Sequence, residues 1–257
     1  MIKFLFLFGI SSLTMAWNAK GHQLVAELAL TDVKPETKRL LQKEFHIANT
    51  DIYHVATWMD DVRRDRQYAH LRYQHYINLS FGQASRFPKQ YPKQNALTAI
   101  ESARQVLLNP ASSQPEKIMA LRILIHVIAD IHQPLHVVSY YSKRYPHGDK
   151  GGNLYLLPKV KNYHHLHQFW DDGAGYLSQA KLSDFSANAC KNDSLLPFQW
   201  VQDSYAIAVH EVYFPPYSKV KMQSYQLKSQ GVAKLQIQKA ACHLAAYLDD
   251  IYSNART

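Results

Sequence analysis

Residues 118–131, IMALRILIHVIADI, constrain the fold more than any other segment. Pro115 suits the first turn of a helix and Gln133-Pro134 stops one, so the stretch between them predicts a helix that is apolar around nearly its whole circumference. Such a helix is stable only when other elements enclose it. The rest of the chain supplies helices for that purpose. Apolar residues recur at helical spacing over 23–30 and 36–44, on either side of a break at 32–35, and over 95–108 up to Asn109-Pro110. The pattern returns around 165–173, over 197–212 and over 227–252, where Val232, Leu235, Ala240, Leu244, Tyr247, Leu248 and Ile251 are expected on one packing face. Residues 140–161 mix Pro, Gly and Tyr without a helical period, and 153–157 reads as a short strand or an extended loop. Nine glycines in 257 residues favour helix further. With no Pro/Gly/Ser-rich seam and no repeat, the expectation is all-α: one compact multi-helix domain with a few short strands or extended loops.

Residues 1–16 read as a leader. Lys3 precedes an apolar run from Phe4 to Ile10, and Thr14-Met15-Ala16 offers small residues at the −3 and −1 positions of a signal-peptidase site, making Trp17 the mature amino terminus. The competing reading, a membrane anchor, needs roughly 20 apolar residues. Export, to periplasm or medium, places the chain where disulfides persist. Its two cysteines, Cys190 and Cys242, are then either one bridge or two buried thiols. A formal net charge of +9 draws polyanions to the surface. Nucleic acid and anionic membrane both fit that charge, as does simple solubility.

Two side chains of metal-ligand type stand on the central helix. His126 and Asp130 are four apart and project from one face. Alone they would be a buried hydrogen-bonded pair, but a second His-x3-Asp pair, His167 and Asp171, lies in YHHLHQFWDDG, and His136 follows the Gln133-Pro134 corner. Imidazole and carboxylate are the ligands zinc accepts in the absence of cysteine, and helical i,i+4 spacing lets one segment supply two of them. Upstream, ATWMDDVRRD offers Asp60 and Arg63, YQHYINL offers His75, and WNAKGH puts His22 five residues after an α-amino group that exists only once the leader is removed.

These segments, WNAKGH, ATWMDDVR, QHYIN, HVIADIHQPLH, GDKGGN and HHLHQFWD, run in order from residue 17 to residue 171. In them the chain resembles the trinuclear-zinc, single-strand-specific nucleases of fungi, plants and bacteria, which are related to bacterial zinc-dependent phospholipases C. The resemblance implies a fold of the phospholipase C/zinc nuclease type and three Zn2+ ions. Asp60, His75 and His126 would hold one, Trp17 (through amine and carbonyl) and His22 a second, and Asp130 would bridge these two. His136, His167 and Asp171 would hold the third. Asp60, Arg63 and Asp130 would carry the catalysis, in which a hydroxide formed on the metals attacks the phosphodiester and leaves 5′-phosphorylated products. Tyr76 would stack an unpaired base, with Gly151, Gly152 and Asn153 at its edge. Asn78 stands where fungal members have aspartate, which points to broad base tolerance, because an amide both donates and accepts.

The substrates so implied are single-stranded DNA and RNA, with 3′-nucleotidase activity as an addition; a monomer is expected, with no protein partner and no stable membrane association. Tyr140, Tyr141, Tyr145 and Tyr155 are candidates for a second stacking surface. A zinc-dependent phospholipase C is the competing enzyme. Against it stand Arg63, Tyr76, the GGN segment and the basic charge, where a choline headgroup would want an aromatic and acidic cage. A non-catalytic zinc-binding protein would close its sites with four protein ligands, whereas His136, His167 and Asp171 supply three.

Overall fold

The computed structural model describes residues 17–45, 52–82, 92–157, 160, 162–186, 190, 193–215 and 219–254. The expected leader at 1–16 lies outside them. Eight α-helices are described: α1 Ala19–Asp32, α2 Pro35–Phe45, α3 Ile52–Asp61, α4 Ala96–Leu108, α5 Gln114–Ile131, α6 Leu166–Asp171, α7 Pro197–Ile207 and α8 Lys219–Asn254. The expected all-α architecture is the observed one, with a single two-stranded parallel sheet among the described residues.

Local chemistry sets the helix starts. Asn18 accepts from the Gly21 amide to open α1, and Asn95 and Thr98 form a reciprocal capping box at α4. Ser113 and Glu116 do the same at α5, with Pro115 in its first turn. α5 is the hub. Leu121, Leu124, Val127, Ile128 and Ile131 are buried on different sides of it, against α1, α3, α4, α7 and α8. The 36-residue α8 spans roughly 54 Å at 1.5 Å per residue and flanks α1, α2, α4 and α5. It begins eight residues before the expected start, and Leu235, expected on its packing face, is 47% exposed. Leu235 sits about 140° around the helix from Ala240, which carries it off the inner stripe.

Two elements had no clear helical period. α3 carries Asp60, and a ten-residue 3₁₀ helix follows at Arg66–His75. Strands β1 (Leu79–Gly82) and β2 (Val138–Tyr141) pair in parallel register Leu79↔Val138 to Gly82↔Tyr141. They tie the segment after His75 to the segment after His136. The expected helix over 197–212 is α7 continued by a π-helical turn, Ala208–Val212. Residues 153–157 form turns, with one antiparallel bridge from Leu156 to His165. Cys190 and Cys242 are disulfide-bonded with Cα atoms 5.7 Å apart. No helix among the described residues is long and apolar enough to cross a membrane.

Candidate metal centre

Five segments distant in sequence converge beside α5. α1 brings His22, α3 brings Asp60 in its last turn, the 3₁₀ helix ends with His75, α5 brings His126 and Asp130, and α6 brings His167 and Asp171 toward His136. The i,i+4 pairs behave as helical spacing dictates: His126 Nε2 is 3.5 Å from Asp130 and His167 Nε2 is 3.3 Å from Asp171.

Asp130 spans the first group. Its Oδ1 is 3.3 Å from His22 Nε2 and its Oδ2 is 3.0 Å from His75 Nδ1. His126 Nε2 is 3.1 Å from His75 Nδ1 and 3.9 Å from Asp60 Oδ2, and the His22 and His126 rings stack at 4.0 Å. Ligand atoms of His22, Asp60 and His126, and again of His75, His126 and Asp130, lie within 4.8 Å of one another. Asp60 and His75, grouped with His126 in the expected set, are also neighbours, at 4.0 Å. His136, His167 and Asp171 form a third compact trio, with the two rings 5.0 Å apart. Trp17 is fully buried beside them. Its Nε1–H donates to the Ala129 carbonyl at 3.1 Å, and the next amide, of Asn18, donates to the Asp171 carbonyl at 2.8 Å.

The backbone holds the rings in one orientation. His126 Nδ1 donates to Ala56 O and His136 Nδ1 to His75 O, each at 2.7 Å, and His167 Nδ1 to Gly151 O. Each bond leaves Nε2 aimed inward, the arrangement in which metal-binding histidines are oriented and made more basic. Gln133, fully buried, was not marked out by the sequence as more than a helix stop. Its Nε2 donates to Asp171 Oδ1 at 2.7 Å, while its Oε1 accepts the Leu135 amide.

Protein groups leave this cluster incomplete. Both ring nitrogens of His22, both oxygens of Asp60, Asp130 Oδ1, His75 Nε2 and His136 Nε2 are buried without a hydrogen-bond partner. Buried polar atoms are rarely left so. Burial, reinforced by neighbouring imidazoles, pushes the pKa values of His22 and His75 well down, and burial lowers that of His126. Burial also pushes the carboxyls of Asp130 and Asp171 well up, and Asp60 up, with neighbouring carboxylates adding to the shift at the first two. A divalent cation answers both conditions: it takes the inward lone pairs and favours the ionised carboxylates. The imidazole and carboxylate donor set suits zinc.

The rim holds the remaining expected residues. Arg63 Nη1 is 3.8 Å from Asp60 Oδ1. Tyr76 is half-buried, and its carbonyl accepts the Ala96 amide at 3.0 Å. Asn78 has φ 54°, a left-handed conformation that asparagine tolerates better than most residues. In the GDKGGN loop, Gly151 has φ +62° and a Cβ there would meet Leu135 O at 2.3 Å, so only glycine fits. Gly152 lies against the His167 amide, and the Asn153 side-chain N–H donates to Lys150 O at 2.7 Å. Asp149, absent from the sequence-based site, holds this loop: buried, it accepts from the Tyr140 amide at 2.9 Å and the Tyr213 hydroxyl at 2.8 Å. Of the four expected stacking tyrosines, Tyr140, Tyr145 and Tyr155 join Tyr213 and Phe214 in one aromatic cluster.

The ligand-type residues thus span residues 17–171, and the scaffold that aligns them continues through α8. The family model for S1/P1 nuclease matches that whole span and more, residues 17–253. Nuclease S1 of Aspergillus oryzae is 26% identical over 168 residues, covering 63% of this chain and 55% of that protein. Endonuclease 2 of Arabidopsis thaliana is 29% identical over 184 residues (65% and 58%). Nuclease P1 of Penicillium citrinum is 26% identical over 161 residues (60% and 57%). The matched part spans little more than half the length of each of these relatives. With the match to the family model running through all five converging segments and the helices behind them, the chain belongs to the S1/P1 nuclease family.

Proposed function

We propose that this chain is an exported, zinc-dependent endonuclease that hydrolyses single-stranded DNA and RNA to 5′-phosphorylated products, with 3′-nucleotidase activity as an extension of the same site. The observation that carries the reading is the buried set of inward nitrogens and carboxylate oxygens without protein hydrogen-bond partners, with Arg63 beside Asp60 and Tyr76 directly after His75. Its precursor comprises a leader at 1–16 and a nuclease domain at 17–257, and three Zn2+ ions are divided among Trp17, His22, Asp60, His75, His126, Asp130, His136, His167 and Asp171. When bound, zinc lowers the pKa of water toward neutrality and offsets phosphate charge.

The chain's own groups do the rest. Asp130, facing His22 with one oxygen and His75 with the other, fixes the spacing within the first group. Asp60, ionised, orients the Arg63 guanidinium, whose remaining N–H groups suit a phosphate whose charge rises during in-line displacement. The Tyr76 ring offers a stacking face, and only an unpaired base can splay onto it, which accounts for single-strand preference. Gly151 and Gly152 allow close approach of a base to the backbone, and Asn153 and Asn78 bring amides that donate and accept. The reading includes a monomer without a protein partner or stable membrane association.

Zinc per mole of mature protein, and cleavage of single- and double-stranded DNA before and after chelation, test it. About three zincs with chelator-sensitive, single-strand-preferring cleavage is the expected result. Zinc without nuclease activity, but with hydrolysis of phosphatidylcholine vesicles, would move the assignment to a phospholipase C, and absence of zinc would end it.

A further inference from the structure

The connection from Arg63 to His75 has an unusual form. Its main part is the 3₁₀ helix Arg66–His75, and such helices seldom exceed three or four residues. Three residues per turn align positions i, i+3 and i+6, and burial follows that period. Tyr68, Leu71 and Gln74 face inward, with Leu71 buried, whereas Arg66, Ala69 and Arg72 form one exposed line and Gln67, His70 and Tyr73 another. The inner line is anchored: the Tyr68 ring stands edge-on to Trp58 at 5.1 Å, and the Arg122 guanidinium lies over Trp58 at 5.3 Å.

Residues 62–75 contain four arginines and one aspartate. That aspartate, Asp65, accepts from the Gln67 amide at 2.9 Å and caps the helix. Among the described residues, Arg64, Arg66 and Arg72 have no carboxylate within ion-pair distance, while Arg63 sits beside Asp60. The C-terminal end of the helix reaches the rim: its last residue is the ligand-type His75, and Tyr76 follows directly as its C-cap.

We propose that Arg64, Arg66, Arg72 and Tyr73 form a track for additional nucleotides of a single-stranded polynucleotide whose reacting nucleotide lies at Arg63 and Tyr76. The inference rests on the nuclease reading and adds a dependence on substrate length. Arg66 and Arg72 are separated by roughly 12 Å of helix rise, with the small Ala69 between them, so two guanidiniums can meet different phosphates of one strand. Tyr73, 45% exposed, offers a second ring near Tyr76 on which a further base can stack. A charged surface alone would suit any polyanion, but cations interleaved with exposed rings on a rigid element suit unpaired nucleotides.

The test uses the zinc-loaded mature enzyme, the triple variant Arg64→Gln/Arg66→Gln/Arg72→Gln, Arg72→Gln alone, and Tyr73→Leu. kcat/KM is measured on a dinucleotide and on a strand of roughly 20 nucleotides, and binding of a phosphorothioate version of that strand is titrated across salt. In the triple variant the ratio of long- to short-substrate kcat/KM falls about tenfold, and the slope of log Kobs against log salt becomes shallower by about 2. Tyr73→Leu lowers the same ratio about fivefold or more. Equal loss on both lengths, or unchanged strand binding and salt slope, overturns the track. So does loss of binding to phosphatidylglycerol vesicles with strand binding intact. Should the triple variant fail to fold, Arg72→Gln and Tyr73→Leu still decide, with a smaller change in the ratio expected and an unchanged ratio overturning the proposal. A wild-type protein that binds the strand with the steep slope, loses it in the variants and cuts neither substrate would leave the track standing and remove the nuclease reading.

Discussion

At the scale of single residues, the site depends on atoms that carry no charge. Gly151 contributes only a carbonyl, which accepts from His167 Nδ1, and the space where a Cβ would strike Leu135 O. Gly151→Ala is therefore expected to shift the loop, release His167, and lower both zinc content and single-strand cleavage, by tenfold or more if it behaves as loss of an outer-shell partner. Atomic absorption and a cleavage assay check this. Retained zinc with full activity would show that the loop can give way. Residues of this kind explain what the sequence leaves illegible. The ligand-type residues stand out because His and Asp are conspicuous in an apolar helix or at i,i+4 spacing. Gln133, Asp149 and the carbonyls of Ala56 and His75 do not, since nothing in their local pattern says which distant imidazole or carboxyl they will meet.

At the scale of elements, the sequence was legible wherever the apolar period was strong. α4 and α5 lie within a residue of their expected starts, because Asn95 and Pro115 mark them. α3 and the 3₁₀ helix were missed: α3 is short, and a period of three is easily masked by the exposed arginines and tyrosines of its outer lines. Parallel strands of four residues leave no alternation long enough to read, so the pairing of β1 with β2 emerges only from the fold. The Cys190–Cys242 bond closes a loop of 52 residues and brings Asp193 to Lys239 and His243 on α8. Replacing both cysteines with alanine is expected to cost about 4 kcal/mol in the chain-entropy account, measurable by urea denaturation; a loss under about 1 kcal/mol would mean that α8 docks without it.

Near that bond, His132 Nε2 meets His243 Nδ1 at 2.8 Å, and His243 Nε2 meets Asp193. Burial is the main cause that lowers His132 to about 3 and His243 to about 4, against 6.5 for a free histidine. The unfolded chain therefore binds protons more readily than the folded one. The stability these residues permit is complete above pH 6.5 and is lost as the pH falls from there toward 4 and then 3. At pH 5 one such group costs about 2 kcal/mol. The drop in urea midpoint between pH 7 and pH 5 should be smaller in His243→Gln than in wild type, and an equal drop would assign the acid sensitivity to other groups.

At the scale of the whole molecule, the helix that organises the core also carries two of the metal-type ligands. Zinc that binds the folded state alone adds about 2.7 kcal/mol at a free concentration of 100 Kd. Chelation should accordingly lower the thermal midpoint by several degrees, reversibly on adding zinc back, and an unchanged midpoint would mean that the core does not sense the cation. The layout divides labour by depth. Ligand-type residues sit on or beside elements whose movement would open the core, so the reactive arrangement resists change. The 3₁₀ helix lies over that floor and presents two exposed lines, Arg66-Ala69-Arg72 and Gln67-His70-Tyr73, whereas the GDKGGN loop is buried against the ligand-type residues except at Lys150 and, in part, Asn153. On the proposed nuclease reading, the exposed lines of the 3₁₀ helix can change their contacts with a strand while the ligand-type cluster below keeps its geometry, so that substrate preference and metal-centred chemistry can vary separately.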